Sequence, residues 1–302
     1  MKPLVTIAFP LGFWGSTLDE FFRRIKSQKL KYPYELVAVY HGNDEKVYKK
    51  LKSLVARVAR IKPEEYNGGA TRDMACSLAS GKYIVNISVD ALPLNDSWLK
   101  NMVEPLVTGE ADVVQGMVQC PQKGEPDYSD FFYWERDFGF YFTSEGQSFN
   151  KKYGNFGTYG YFGFAAPNLS FKRTVWEKTG FSGVRYNEDK IFQKRILENK
   201  YKAVFKKNAI VLHAHLYMTV KSLFNRCSNE AFGWKELGEN YGLFTMLKDI
   251  SRLDLHAKAI VAFLQRDIHY PSEFFFIFIR PIALYWGNHY AKIIYNDRRP
   301  GK

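Results

Sequence analysis

The chain has 302 residues, 46% apolar and 25% charged, which excludes a largely disordered chain and suits one large domain or two small ones. Aromatic residues make up 17%, an excess that fits sugar faces, nucleobases or a membrane interface. The net charge of +12 divides into +6 over residues 1–66, −7 over 67–150 and +13 over 151–302, and the acidic middle third argues against nucleic acid as a partner, which calls for one continuous basic surface.

In chain order, Val5 to Phe9 reads as a buried strand. Leu18 to Ser27 has helical spacing, with Ser16 or Thr17 able to cap it. Tyr34–Tyr40 is a second strand, Glu45–Leu54 a helix, Ala56–Ile61 a weaker strand, and Ala70–Ala79 a helix that Gly81 ends. Tyr83–Ile87 is a strand, Asp96–Leu106 a helix and Asp112–Val118 a strand. Strands joined by helices at this pitch predict βαβ units and a mostly parallel sheet, whose ligands sit beyond the carboxyl ends of its strands. Asp130 to Tyr141 fits an aromatic helix and Phe142 to Gly160 a long loop. Asn168–Phe171 and Lys202–Leu212 are strands, with a helix at about Asn187–Asn199 between them. From Thr219 the chain reads as three or four helical segments broken near Gly242, Leu253 and Pro271.

Cys76, Cys120 and Cys227 are odd in number and form no Cys-x-x-Cys, which fits reduced thiols in the cytosol. The opening apolar run is ended by Pro10 and Gly12 and reads as a strand rather than a secretory signal. Phe274 to Trp286 is the most apolar late stretch, but it contains Arg280 and Pro281 and falls short of the roughly 20 residues a spanning helix needs.

Four clusters carry residues suited to chemistry. In Ser88-Val89-Asp90-Ala91-Leu92-Pro93 an apolar strand runs into a carboxylate that can bind Mg²⁺ or Mn²⁺ and through it a diphosphate; read alone, Asp90 is equally a turn residue. Asn67-Gly68-Gly69-Ala70-Thr71-Arg72 opens a helix whose amides suit an anion, or is an ordinary loop and cap. Asn187-Glu188-Asp189 is a helix start in which acids suit the dipole, or in which one carboxylate is a general base. His213-Ala214-His215 places two imidazoles on one face near a strand end, as a metal ligand or as structural histidines.

In this order, from about Pro3 to Arg226, the clusters resemble the inverting family-2 glycosyltransferases of the GT-A fold, and among them the rhamnosyltransferase-like members. The opening strand through Pro10, the Asn67-to-Arg72 helix start and the Gly81-to-Val85 strand follow the family pattern. Ser88 to Pro93 resembles its Asp-x-Asp motif written as Thr-Gln-Asp-Ala-x-Pro, with Trp98-Leu99 following. Gly180-Phe181, Glu188-Asp189 and the two histidines complete the match. The resemblance implies an α/β GT-A domain over residues 1–218; the residues beyond it, 219–302, read as a helical region able to serve as a membrane-surface or oligomer contact. It implies Asp189 as the base, Asp90 with His213 or His215 as metal ligands, and Mn²⁺ or Mg²⁺ as cofactor. Pro10, Asn67, Arg72, Ser88, Asp90 and Arg226 would lie on the side of a nucleotide-diphosphate sugar. The acceptor it implies is a glycan or lipid-linked glycan in cell-surface polysaccharide assembly.

One departure stands out. Family members usually follow the second strand with an Asp that reads the nucleotide base, and here Tyr40 or His41 occupies that place. A different base, recognition by stacking, or a degenerate donor site in a non-catalytic sugar- or nucleotide-binding protein would each account for it. The run Phe274 to Ile279, flanked by Arg266, Arg280, Lys292, Arg298, Arg299 and Lys302, either packs on the rest of the chain or attaches a cytoplasmic protein to the anionic inner face of the membrane.

Overall fold

The computed structural model describes residues 2–15, 17–121, 131–136, 163–181, 186–216 and 219–291. In chain order the elements are β1 (Val5–Leu11), α1 (Leu18–Lys26), β2 (Tyr34–Tyr40), α2 (Glu45–Leu54), β3 (Arg57–Arg60), α3 (Gly68–Ser77), β4 (Tyr83–Ile87), β5 (Leu92–Pro93), α4 (Trp98–Val107) and β6 (Val113–Gln119). They continue with α5 (Tyr133–Arg136), β7 (Asn168–Lys172), α6 (Arg173–Thr179), α7 (Glu188–Glu198), β8 (Ala203–Leu212), α8 (Val220–Glu236), α9 (Leu243–Ile250), α10 (Leu253–Leu264), α11 (Pro271–Phe274) and α12 (Phe276–His289). Two compact units result: among the described residues, one takes in 2–119 and 163–213, the other 120–136 and 214–291.

The first unit holds an eight-stranded sheet in the order β3-β2-β1-β4-β7-β6-β8-β5. Six strands run one way, while β7 is antiparallel to β4 and β6, and β5 antiparallel to β8. The α/β, mostly parallel expectation is met. β1 and β4 are apolar almost throughout because both faces of a central parallel strand are covered. Leu18, Phe21, Phe22 and Ile25 put the apolar face of α1 on this sheet, with Phe21 edge-on to Phe9 at 5.3 Å. On a core of Ala8, Val37, Ile84 and Phe171 lie α3, α6 and α7, where Phe181 stacks on Phe192 at 4.6 Å.

Several local expectations change. Thr17 stands at the start of α1 but makes no side-chain cap. Gly81 does not end α3, which stops at Ser77; it is glycine because a Cβ there would come within 2.8 Å of the Thr6 amide on β1. The proline turn after Asp90 contains the two-residue strand β5. A short helix, α6, follows β7 without a break and ends at Gly180, whose φ of 54° favours glycine. The 142–160 loop, and the ends of the 130–141 helix, lie outside the described residues; within them α5 spans Tyr133–Arg136.

Asn168 ties the sheet together. Its Nδ2 donates to the carbonyls of Met117 on β6 and Ala209 on β8, and its Oδ1 accepts from the Trp98 indole on α4. Trp98 is therefore a buried strut in the core. Asn168→Leu keeps the volume but strands three buried polar partners, at about 1–3 kcal/mol each. We expect its urea midpoint to fall by the equivalent of roughly 3 kcal/mol or more; a midpoint within error of wild type would show that water takes over these bonds.

In the second unit, α8 and α12 pack around Trp134, Cys227, Trp234, Leu255 and Phe276. They approach so closely that a Cβ on Gly287 would collide with the Ser228 backbone. The breaks expected near Gly242, Leu253 and Pro271 all occur, and Phe275 adds one more, giving five helices after Thr219 among the described residues.

Candidate functional site

The carboxyl ends of the parallel strands of the first unit gather most of the sequence candidates. β1 ends at Pro10-Leu11, β2 at Tyr40, β4 just before Ser88 and β8 just before His213. Because β7 runs antiparallel, with Asn168 opposite Ile87, the segment that precedes β7 reaches the same edge.

Asp90 and His213 meet through this topology. The chain leaves β4, turns where the Ala91 amide bonds the Ser88 carbonyl at 3.0 Å, and returns as β5 beside β8, Leu92 opposite Leu212. Two residues before Leu92 and one after Leu212, Asp90 Oδ1 comes to 3.5 Å from His213 Nδ1, with the Asp90 side chain 30% and the His213 side chain 6% exposed. Among the described residues no group of three or more His, Cys, Asp or Glu side chains forms a metal cluster. A carboxylate and an imidazole side by side remain a fitting pair of donors for a cation whose other ligands are diphosphate oxygens and water.

Asp189 is held from three directions. Its Oδ2 accepts from the Ala166 amide at 3.2 Å and pairs with Lys190 Nζ at 3.1 Å, and its Oδ1 accepts from the Lys190 amide at 2.8 Å. Asn187 has a residue type suited to cap α7 but does not do so with its side chain; its backbone sits at φ 59°, a left-handed turn that Asn tolerates. That turn delivers Glu188 to Arg72, whose Nε donates to Glu188 Oε1 at 2.9 Å. Arg72 also donates to Asn86 Oδ1 at 3.1 Å. Burial works against the Arg72 charge, but Glu188, Tyr66 and Asp189 outweigh it, and the guanidinium is held protonated. Asn67 caps α3, its Oδ1 accepting from the Ala70 amide at 3.0 Å.

The segment Gly163–Pro167 is braced by side chains that sequence reading missed. The Phe164 amide donates to Gln193 Oε1 at 2.8 Å and the Ala165 amide to Gln115 Oε1 at 2.8 Å. Lys190 Nζ donates to the Phe164 carbonyl, and Asn86 Nδ2 to the Ala166 carbonyl at 2.6 Å. The available signal was a polar residue inside an apolar strand: Asn86 in Tyr-Ile-Val-Asn-Ile and Gln115 in Val-Val-Gln-Gly-Met. A buried amide needs a partner, and here the partners are loop backbone.

At the end of β2 the missing carboxylate is replaced by rings. Tyr40 is buried, and its hydroxyl closes the following turn, accepting from the Asp44 amide at 2.9 Å and donating to the Asp44 carbonyl at 3.0 Å. The His41 ring stacks on Tyr66 at 4.2 Å and 27°, so close to Gly12 that a Cβ there would lie 2.6 Å from it. Burial pushes the His41 imidazole down to about 4, which leaves it neutral at pH 7.

His215 and Arg226 belong to the second unit. His215 Nδ1 lies 2.9 Å from Glu135 Oε2, its amide donates to the same oxygen at 2.7 Å, and Arg226 stands 3.9 Å from Glu135 Oε1. Burial opposes the Glu135 charge, yet His215 and Arg226 hold its carboxyl at about 2. Of the two histidines, then, His213 lies beside Asp90 and His215 beside Glu135, a residue the sequence reading did not single out.

A family model described as glycosyl transferase family 2 matches residues 15–175, just over half of the chain, and the chain belongs to that family. Among solved structures, the mannosyltransferase PcManGT from Pyrobaculum calidifontis, in complex with GDP-Man and Mn²⁺, is similar in fold: TM-score 0.60, 14% identity, 96% of this chain and 88% of that one covered. TarS from S. aureus is similar with a TM-score of 0.50 and 13% identity, over 75% of this chain and 39% of that one. These likenesses identify the fold as GT-A. No curated protein matches the chain.

Proposed function

We infer that this member of glycosyl transferase family 2 is a metal-dependent, inverting glycosyltransferase, moving a sugar from a nucleotide-diphosphate donor to a hydroxyl of a glycan or lipid-linked glycan. The observation that carries the reading is the arrangement of the first unit: Asp90 beside His213, and Asp189 fixed by Ala166 and Lys190, at one edge of the sheet. Asp189 takes the proton of the acceptor hydroxyl. The freed oxygen attacks the anomeric carbon opposite the departing diphosphate, so its configuration inverts. Asp90 and His213 would hold Mn²⁺ or Mg²⁺, which when bound offsets the negative charge of the leaving diphosphate. The shared fold with a protein solved with GDP-Man and Mn²⁺ supports a nucleotide sugar and Mn²⁺ here.

Pro10, Asn67, Ser88 and Arg72 stand on the donor side, Arg72 acting through Glu188 and Asn86 to hold the start of α7 against β4. The nucleobase would meet the His41–Tyr66 rings rather than a carboxylate. Stacking discriminates weakly because every base has a π-face, so selection would rest on the one donor and one acceptor of a neutral imidazole.

Thermal denaturation against a panel of nucleoside diphosphates and nucleotide sugars, with and without Mn²⁺, tests the reading. A donor at about 100 times its Kd should stabilise by roughly 2.7 kcal/mol, and more with Mn²⁺ than without. If no nucleotide raises the Tm with Mn²⁺ present, the proposal fails. Stabilisation without any turnover or hydrolysis would instead identify a binding protein that keeps the fold.

A further inference from the structure

Among the described residues no helix is long and apolar enough to cross a membrane. The helices of the second unit nevertheless expose apolar surface on an unusual scale. α10 buries Leu255, Ala259 and Ala262, and on its other side leaves Leu253 80% and Leu264 74% exposed, with Ile260 open between them. Positions 253, 260 and 264 form one helical stripe, so α10 is apolar on both faces and covers only one. α9 leaves Phe244 83% exposed. α12, which packs on α9, exposes Phe278, Ile282 and Trp286 at steps of four. α10 adjoins α11 and the start of α12, since Phe263 meets Phe274 of α11 edge-on at 5.3 Å and His256 meets Phe278 of α12 at 5.2 Å. The run Phe274 to Ile279 therefore divides. Phe276 packs inward on Phe132 and Trp134, while Phe275 and Phe278 face out.

Singly exposed apolar residues are ordinary, but adjoining stripes on packed helices mark a surface that is covered in use. The chemistry of its borders says by what. Exposed Lys248 and Arg266 lie on α9 and just after α10. Trp286 and Tyr290, both half exposed, stand at the far end of α12. The eleven residues that follow Tyr290 and Ala291 carry Lys292, Arg298, Arg299 and Lys302 against Asp297 alone. Apolar side chains bordered by cations and amphipathic rings match the interfacial zone of a bilayer, and the cations complement acidic headgroups. A second copy of the chain would instead bring like charges together.

We propose that the exposed faces of α9, α10 and α12 dock this protein on an anionic lipid surface. The proposal does not rest on the transfer reaction. The test is co-sedimentation of the full chain with vesicles of phosphatidylcholine mixed with phosphatidylglycerol, at low salt, beside vesicles of phosphatidylcholine alone. Binding should be about tenfold or more stronger to the anionic vesicles and should weaken as salt shortens the Debye length below about 10 Å. The double variant Phe244→Ser, Leu264→Ser should lose a further tenfold or so, because each buried methylene strengthens partitioning about fourfold. Both side chains are exposed, so its Tm and its nucleotide-dependent stabilisation should match wild type. No binding to anionic vesicles at low salt, equal binding to neutral ones, or undiminished binding by the double variant overturns the proposal. So does a wild-type dimer in sedimentation equilibrium that the double variant converts to monomer, which would make the face a self-interface.

Discussion

Replacing Asp189 with Asn is expected to lower turnover by about 10²-fold or more while leaving donor affinity almost unchanged. The amide is nearly isosteric and its oxygen can still accept from the Ala166 amide, so the geometry of the α7 start should survive. What disappears is the capacity to take a proton. The cost falls on the buried Lys190 ammonium, which keeps the Phe164 carbonyl but loses its ionised neighbour. A modest fall in Tm should therefore accompany the loss of kcat, and the two must be measured together. Glu188→Gln is the control. Glu188 faces the buried Arg72 guanidinium, and neutralising it removes the charge that is paired directly with that cation, while Asn86 still accepts from it. This change should act mainly on stability, with turnover affected less than in the Asp189 variant. Equal and small effects of both changes on kcat would return the two acids to the role of a favourable first helical turn.

This contrast between neighbouring acids also shows where sequence reading stops. Strands β1, β2 and β4 and helix α1 were legible because each buries an apolar run of the expected period. Asp90 and His213 were legible as candidates because the carboxyl ends of parallel strands are where ligands lie. The frame that fixes Asp189 was not. Asn86, Gln115 and Gln193 bond backbone 80, 50 and 29 residues away, and no periodicity reports a partner at that distance. Glu135 was hidden in the same way, among aromatic residues and 80 positions from His215. β5 has two residues, too few for any alternation to register, yet it is the pairing that sets Asp90 beside His213. The Phe274 to Ile279 run, readable in sequence either as packed or as surface, is both: its inward half fills a core while Phe275 and Phe278 face out, and more exposed side chains stand on α9 and α10.

Asp90→Ala should abolish transfer and remove the Mn²⁺-dependent part of nucleotide binding. The side chain is 30% exposed and lies 3.5 Å from His213 at the edge of the sheet, so truncation should leave the fold and the metal-independent part of binding in place. His213→Ala should act in the same direction, although His213 is buried at 6% exposure and its loss will lower stability as well. The decisive quantity is the coupling between them. If both side chains hold one cation, each single change already forfeits most of the metal's contribution, and the double variant should bind a nucleoside diphosphate in Mn²⁺ about as weakly as the weaker single one. Calorimetric titration with and without Mn²⁺ gives all four affinities. Losses that simply add would place the two residues at independent tasks. An Asp90→Ala protein that still binds nucleotide at wild-type affinity in a metal-dependent way would move the cation site to other residues, and with it the assignment of the Ser88-to-Pro93 motif.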